Sequence, residues 1–177
     1  MELQQVILVN ERDEPIGVMG KLEAHQKGLL HRAFSVFIFN SRGELLLQRR
    51  ALQKYHSGGL WTNSCCSHPQ PGEVLIESAQ KRLKEEMGFS TSLEKIFDFV
   101  YEADFNNGLT EHEFDHVFAG EYEGRIECNK DEVMDCCYKY FEEVAKELEQ
   151  KPEQFSAWFR LAFPRVKEWQ RDLKMKR

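Results

Sequence analysis

The chain has 177 residues, 41% hydrophobic and 31% charged, which suits one packed domain and excludes collagen-like, disordered and membrane-embedded classes. Its net charge of −6 opposes nucleic-acid binding, and no apolar run approaches the roughly 18 to 20 residues of a membrane helix. Five cysteines, an odd number with Cys65-Cys66 and Cys136-Cys137 adjacent, suit free thiols better than a disulfide framework. No export signal opens the sequence, so a cytoplasmic protein is expected, as a monomer or weak homodimer without a nucleic-acid or membrane partner.

Residues 4–9 read as a first strand, closed by the polar turn cluster at 10–15. Residues 17–30 show no clear period and are expected to be loop. The apolar run 34–39, the turn Asn40-Ser41-Arg42-Gly43 and Leu45-Leu46-Leu47 predict two buried, paired strands. A short strand is predicted at 61–64. Residues 65–72 hold two prolines and a glycine and predict a loop. Over 74–87, Leu75, Ala79, Leu83 and Met87 recur every fourth position with Gly88 as a stop, which predicts a helix. Strands are predicted at 97–101 and 114–122, either side of Asn106-Asn107-Gly108, and again at 134–141. Helices follow at 142–150 and 156–173, broken near Pro152 and kinked near Pro164. The whole predicts a single-domain α/β sandwich of mixed sheets with flanking helices.

Cys66 and His68 stand two residues apart, so an extended chain turns both to one side. A nearby imidazole or metal favours a thiolate, whereas a buried, inert cysteine pair is the commoner use of free cysteines. Glu111 and Glu113 share a strand face by the same period; they want a cation between them, or form an exposed acidic edge. His25 and His31 lie in the aperiodic segment with no structural role to explain them. With His68 and the two glutamates they would make a nitrogen and oxygen donor set suited to a transition ion. Arg82 and Glu86, one helical turn apart, read equally as a surface ion pair, and Trp158 as core. Arg49, Arg50 and Lys54 form the densest basic cluster.

The segment Trp61-Thr62-Asn63-Ser64-Cys65-Cys66-Ser67-His68-Pro69-Gln70 closely resembles the characteristic loop of type I isopentenyl-diphosphate isomerases. The resemblance extends through Lys21, His25 and His31, Arg49-Arg50-Ala51 with Lys54, Glu86-Met87-Gly88, Glu111-x-Glu113, Asp131-Glu132-Val133-Met134-Asp135 and Phe155-Ser156-x-Trp158. It implies a Nudix-like fold and an isomerase moving a carbon-carbon double bond in a small prenyl diphosphate. Cys66 and Glu113 would be the acid-base pair, Tyr101 would orient Glu113, and Trp158 would shelter a carbocation. The resemblance further implies one divalent ion, Mn2+, Zn2+ or Mg2+, on His25, His31, His68, Glu111 and Glu113. A second ion, Mg2+, would sit on Glu86 and the Cys66 carbonyl and bridge the substrate diphosphate. Lys21, Arg50, Lys54 and Arg82 would contact phosphate. Residues 66–89 resemble a degenerate Nudix box in which Ser67 replaces the opening glycine. Lys81-Arg82 stands where a Nudix diphosphate hydrolase has arginine followed by a metal-binding glutamate. That substitution favours isomerisation over hydrolysis. A zinc-binding interaction module on His25, His31, Cys66 and His68 is a further reading, disfavoured by the surplus carboxylates.

Overall fold

The structure, a computed structural model, describes residues 4–176. In chain order the elements are β1 (Gln5–Val9), β2 (Pro15–Gly20), α1 (Lys21–Lys27), β3 (His31–Phe39), β4 (Leu45–Arg50), β5 (Trp61–Thr62), β6 (Cys65–Ser67), α2 (Leu75–Met87), β7 (Glu94–Asp104), β8 (Thr110–Glu121), β9 (Val133–Lys139), α3 (Phe141–Gln150), a 3-10 turn (Pro152–Gln154) and α4 (Ala157–Met175).

The apolar run predicted as a buried strand becomes the middle of the sheet. β3 pairs in parallel with β8 along its whole length, and its other edge is shared in turn by β1, β6 and β4. β7 extends the sheet beyond β8 and β9 extends it beyond β4, while β5 pairs with the other edge of β4, the one that also meets β3.

Strand pleating then sorts the side chains. Phe34, Val36 and Ile38, with Leu46 and Phe118, meet Ala79, Leu83 and Met87 of α2. Phe37 and Phe39, with Leu45, Leu47, Val117 and Ala119, meet Phe141 of α3 and Phe159 and Phe163 of α4. Helices on both faces of a mixed sheet make the sandwich that the sequence predicts.

Most of residues 17–30, expected to be loop, is regular, and only 28–30 are irregular. The segment that includes Gly17 to Gly20 forms the end of β2, an edge strand in which Ile16 and Val18 stay exposed, so no inside-outside alternation marked it. Lys21–Lys27 form α1, capped where Gly28 adopts φ 64° and its N–H donates to the Ala24 carbonyl. Seven residues burying only Ala24 and His25 are too few to display a helical period. Cys65–Ser67 likewise leave the predicted loop to pair with β3. Pro164 does not end α4. It lies on the exposed side, while Ala162, Phe163 and Val166 are buried and hold the helix against the sheet.

Candidate active site and metal centre

One face of the sheet changes character along its strands. Under α4 it carries Phe37 and Phe39 of β3 and Val117 and Ala119 of β8. Toward the other strand ends the same alternation brings up His31 and Ser35 of β3, and Glu111, Glu113 and Asp115 of β8. The parallel register sets His31 beside Glu113. Tyr101 of β7 lies opposite Glu113, and Cys66 of β6 opposite Ser35. The pleat therefore separates the two adjacent cysteines. Cys65 joins the α2 side and donates its S–H to Glu86 Oε2 at 2.8 Å, whereas Cys66 faces the polar pocket.

Glu111 and Glu113 are 4% and 5% exposed, and the Tyr101 hydroxyl contacts both carboxylates. Burial, then the charges of Glu111 and Glu113, push the Tyr101 phenol up, so it remains a donor. One phenol proton does not neutralise two buried carboxylates. Imidazoles complete the group. His31 Nε2 and His68 Nε2 lie 3.2 and 2.5 Å from Glu113 Oε2. His25, His31, His68 and Glu113 place ligand atoms within 4.8 Å of one another.

The rings are oriented from behind. His25 Nδ1–H donates to the Lys21 carbonyl at 2.7 Å and His31 Nδ1–H to the Leu29 carbonyl at 2.8 Å, leaving each Nε2 to face the group. Burial pushes Glu113 up, but the hydrogen bond and charge of His31 outweigh it and lower the carboxyl to about 2. Burial lowers His31, and Glu113 more than restores it. His68 stays neutral, pushed down by burial and by His31. A proton held between His31 and Glu113 marks a place that favours positive charge. Converging neutral imidazole nitrogens and buried carboxylates fit a divalent ion.

Beside this group, Cys66 S–H donates to Asn63 Oδ1 at 3.0 Å and receives the Trp158 indole N–H at 2.9 Å. Asn63 is itself anchored by its Nδ2 to the Val36 and Cys65 carbonyls. Burial pushes the Cys66 thiol up, with Asp115 adding to it, so the resting group is S–H.

A cavity of about 140 Å³ opens over Cys66, Glu113 and Trp158 and is walled by Lys21, Arg50, Lys54 and Arg82. It shares Ser67, His68 and Arg82 with a wider cleft of about 720 Å³. Glu132 pairs with both Lys54 and Arg82, while among the described residues Lys21 and Arg50 have no carboxylate within ion-pair distance. Burial, then Lys54, Arg50 and Arg82, lower Lys21 to about 8. Four cations converge on the cavity, and although Arg82 is also held by Glu85 at 2.5 Å, Lys21 and Arg50 lack a carboxylate partner among the described residues, which suits an anionic ligand.

The structure brings His25, His31, His68, Glu111, Glu113, Tyr101, Cys66, Trp158, Lys21, Arg50, Lys54 and Arg82 to the His/Glu group or the cavity beside it, whereas Arg49 bonds the Gly59 carbonyl away from it and Glu86, expected at a second ion, lies behind Arg82. The Glu86 side chain is buried against Cys65 Sγ, with Arg82 Nη2 at 3.8 Å, and lies outside the His/Glu group. Sequence reasoning missed Tyr55, His56, Asp115 and a bridging role for Glu132. Asp115 continues the period-two series from Glu111 and Glu113, so its signal was present. Tyr55 and His56 sit in the aperiodic turn between β4 and β5, where spacing carries no such signal.

Residues 29–159 match the family described as the NUDIX domain. Among solved structures, a Deinococcus radiodurans protein is similar with a TM-score of 0.77 at 20% identity, covering 92% of this chain and 98% of that one. The MutT protein of Methanosarcina mazei gives 0.66 at 21% identity, covering 80% and 95%. Fold and matched segment define a NUDIX-domain protein. The Isopentenyl-diphosphate Delta-isomerase of Pectobacterium atrosepticum is 51% identical over 171 residues, covering 96% of each chain. The Isopentenyl-diphosphate Delta-isomerase 2 of Aromatoleum aromaticum is 51% identical over 162 residues, covering 92% of this chain and 86% of that one. Within the NUDIX class, the chain belongs to the isopentenyl-diphosphate Delta-isomerase family.

Proposed function

We propose that the protein interconverts isopentenyl diphosphate and dimethylallyl diphosphate, with Cys66 and Glu113 as its proton-transfer pair. The observation that carries this reading is a thiol and a carboxylate lining one cavity whose wall presents four cations. Lys21, Arg50, Lys54 and Arg82 hold the diphosphate and Glu132 yields its place to it, so binding energy at the unreactive end positions the five-carbon unit. An alkene is a weak base, so a poised acid adds a proton at C4, a tertiary cation forms at C3, and a base removes a proton from C2. The C4–H bond formed and the C2–H bond broken balance, and the reverse sequence runs on the same two groups. At rest Cys66 is a thiol and Glu113 a carboxylate, so the pair carries one mobile proton. Trp158, 3% exposed with its indole N–H on Cys66, presents an aromatic face that shelters the cation from water. Tyr101 orients Glu113.

His25, His31, His68, Glu111 and Glu113 would hold a divalent ion, proposed as Mn2+, Zn2+ or Mg2+, which supplies positive charge that keeps the buried carboxylates ionised. A second ion, Mg2+, is proposed to enter with the diphosphate on the Glu86 side, with the Cys66 carbonyl. The reaction takes place in the cytoplasm on a small-molecule substrate. Incubation with isopentenyl diphosphate and magnesium in deuterated water, followed by NMR, tests the assignment. Dimethylallyl diphosphate carrying deuterium is the expected product; release of phosphate or pyrophosphate without isomerisation would overturn it in favour of a diphosphate hydrolase.

A further inference from the structure

His56 belongs to no regular element, yet it is only 8% exposed. Its ring stacks on Phe105, with centroids 4.5 Å apart and planes at 8°, and meets Trp158 edge-on at 5.8 Å. Nδ1 lies 3.1 Å from Ser57 Oγ, so the opposite nitrogen is the one aimed inward. That Nε2 stands 3.1 Å from Glu111 Oε2. Ligand atoms of His25, His56 and Glu111 all fall within 4.8 Å of one another.

The group made by His25, His56 and Glu111 shares His25 with the group made by His25, His31, His68 and Glu113. His25 spends Nδ1 on the Lys21 carbonyl and has one lone pair left, at Nε2, where the Tyr55 hydroxyl donates at 3.2 Å. One lone pair serves one ion, so His25 cannot hold an ion in each group; the two sets, whose ligand atoms are not all within 4.8 Å of one another here, serve one ion if it displaces the Tyr55 hydroxyl and draws His56 and Glu111 toward the other donors. Adjacent donors bound at about 2.1 Å to one ion stand about 3 Å apart, which is the separation between His56 Nε2 and Glu111 Oε2.

We propose that His56 is a sixth protein donor to the divalent-ion centre, giving it four imidazoles and turning its preference toward borderline ions such as zinc or cobalt and away from magnesium. Imidazole is a poor ligand for magnesium and a good one for late first-row ions, so each added ring moves selection in that direction. The inference rests on reading His25, His31, His68, Glu111 and Glu113 as an ion site. A hydrogen bond from His56 Nε2–H to Glu111 is the competing arrangement, and it leaves three imidazoles on the ion.

Chelator-treated protein titrated with cobalt alone, and X-ray absorption of the loaded protein, separate these outcomes. One cobalt per chain with four imidazoles is expected, falling to three in His56→Gln with binding weakened about 10- to 100-fold. Magnesium binding should weaken less. Three imidazoles in both proteins, or unchanged cobalt affinity in His56→Gln, would overturn the proposal while leaving the ion site in place. Absence of stoichiometric cobalt from the unsubstituted protein, or full cobalt affinity in His31→Ala, would overturn the ion site itself. If His56→Gln fails to fold, judged by circular dichroism, the imidazole count of the unsubstituted protein decides alone.

Discussion

Cys65 and Cys66 are adjacent and chemically identical, and the pleat of a three-residue strand gives them different surroundings. Cys66→Ala is expected to abolish isomerisation, because among the described residues Cys66 is the only thiol lining the cavity. Cys65→Ala should keep most turnover and lose about 1 kcal/mol of stability with its hydrogen bond to Glu86. Steady-state kinetics and urea melts check the pair, and equal loss of turnover in both would reverse the assignment. Glu113→Gln keeps an oxygen donor and loses the proposed proton carrier, so turnover should fall by orders of magnitude however much manganese is added. Glu111→Gln should be partly rescued by manganese. Lys21 adds a pH dependence. Its amine, lowered to about 8 chiefly by burial, loses its charge above that pH, and KM for the diphosphate should rise there. Lys21→Arg should remove this alkaline limb. The stability effect has the opposite sense: the fold disfavours the charged amine, so Lys21 makes the protein more stable as pH rises from about 8 to 10.5.

Among the elements, α2 and β8 were the most legible. The four-residue recurrence of Leu75, Ala79, Leu83 and Met87 reflects burial of one stripe on the sheet, and Gly88 ends the helix at φ 80°. A Cβ on Gly88 would strike the Glu127 carbonyl, and an L-residue is strained at that φ. Gly88→Ala should therefore destabilise the protein by about 1–3 kcal/mol, read as a lower urea midpoint with unchanged slope. The elements that escaped detection, β2 and α1, bury little apolar surface of their own. β2 exists because β1 offers it hydrogen bonds, and α1 because Gly28 closes it and His25 and Ala24 dock inward. Such elements leave a faint pattern of hydrophobicity, since their stability comes from partners distant in the chain.

Across the molecule, the site occupies one end of the sheet face whose other end is the largest aromatic core. Phe37, Phe159 and their neighbours fix the strands, which lets buried carboxylates and imidazoles be held close together. An ion held at the proposed centre would stabilise the folded state alone, so chelation should lower the melting temperature. At an ion concentration 100 times Kd the contribution is about 2.7 kcal/mol, or roughly 5–10 °C for a domain of this size. Differential scanning calorimetry with and without chelator checks this, and manganese or zinc should restore the original transition.

Much of this arrangement could be read directly from the chain. Period two puts Glu111 with Glu113, and Cys66 with His68, on common faces. Period four marks α2, and the residues of the Trp61-to-Gln70 loop identify the family. These features are local, so residue order and backbone geometry suffice to specify them. Placement of His56 against Glu111, of Glu132 between Lys54 and Arg82, and of Cys65 against Glu86 instead depended on tertiary packing. Each joins segments far apart in sequence, and the side chains of irregular segments have no period. Which group lies beside which is decided there by the energy of packing and of satisfying buried charge over the whole fold.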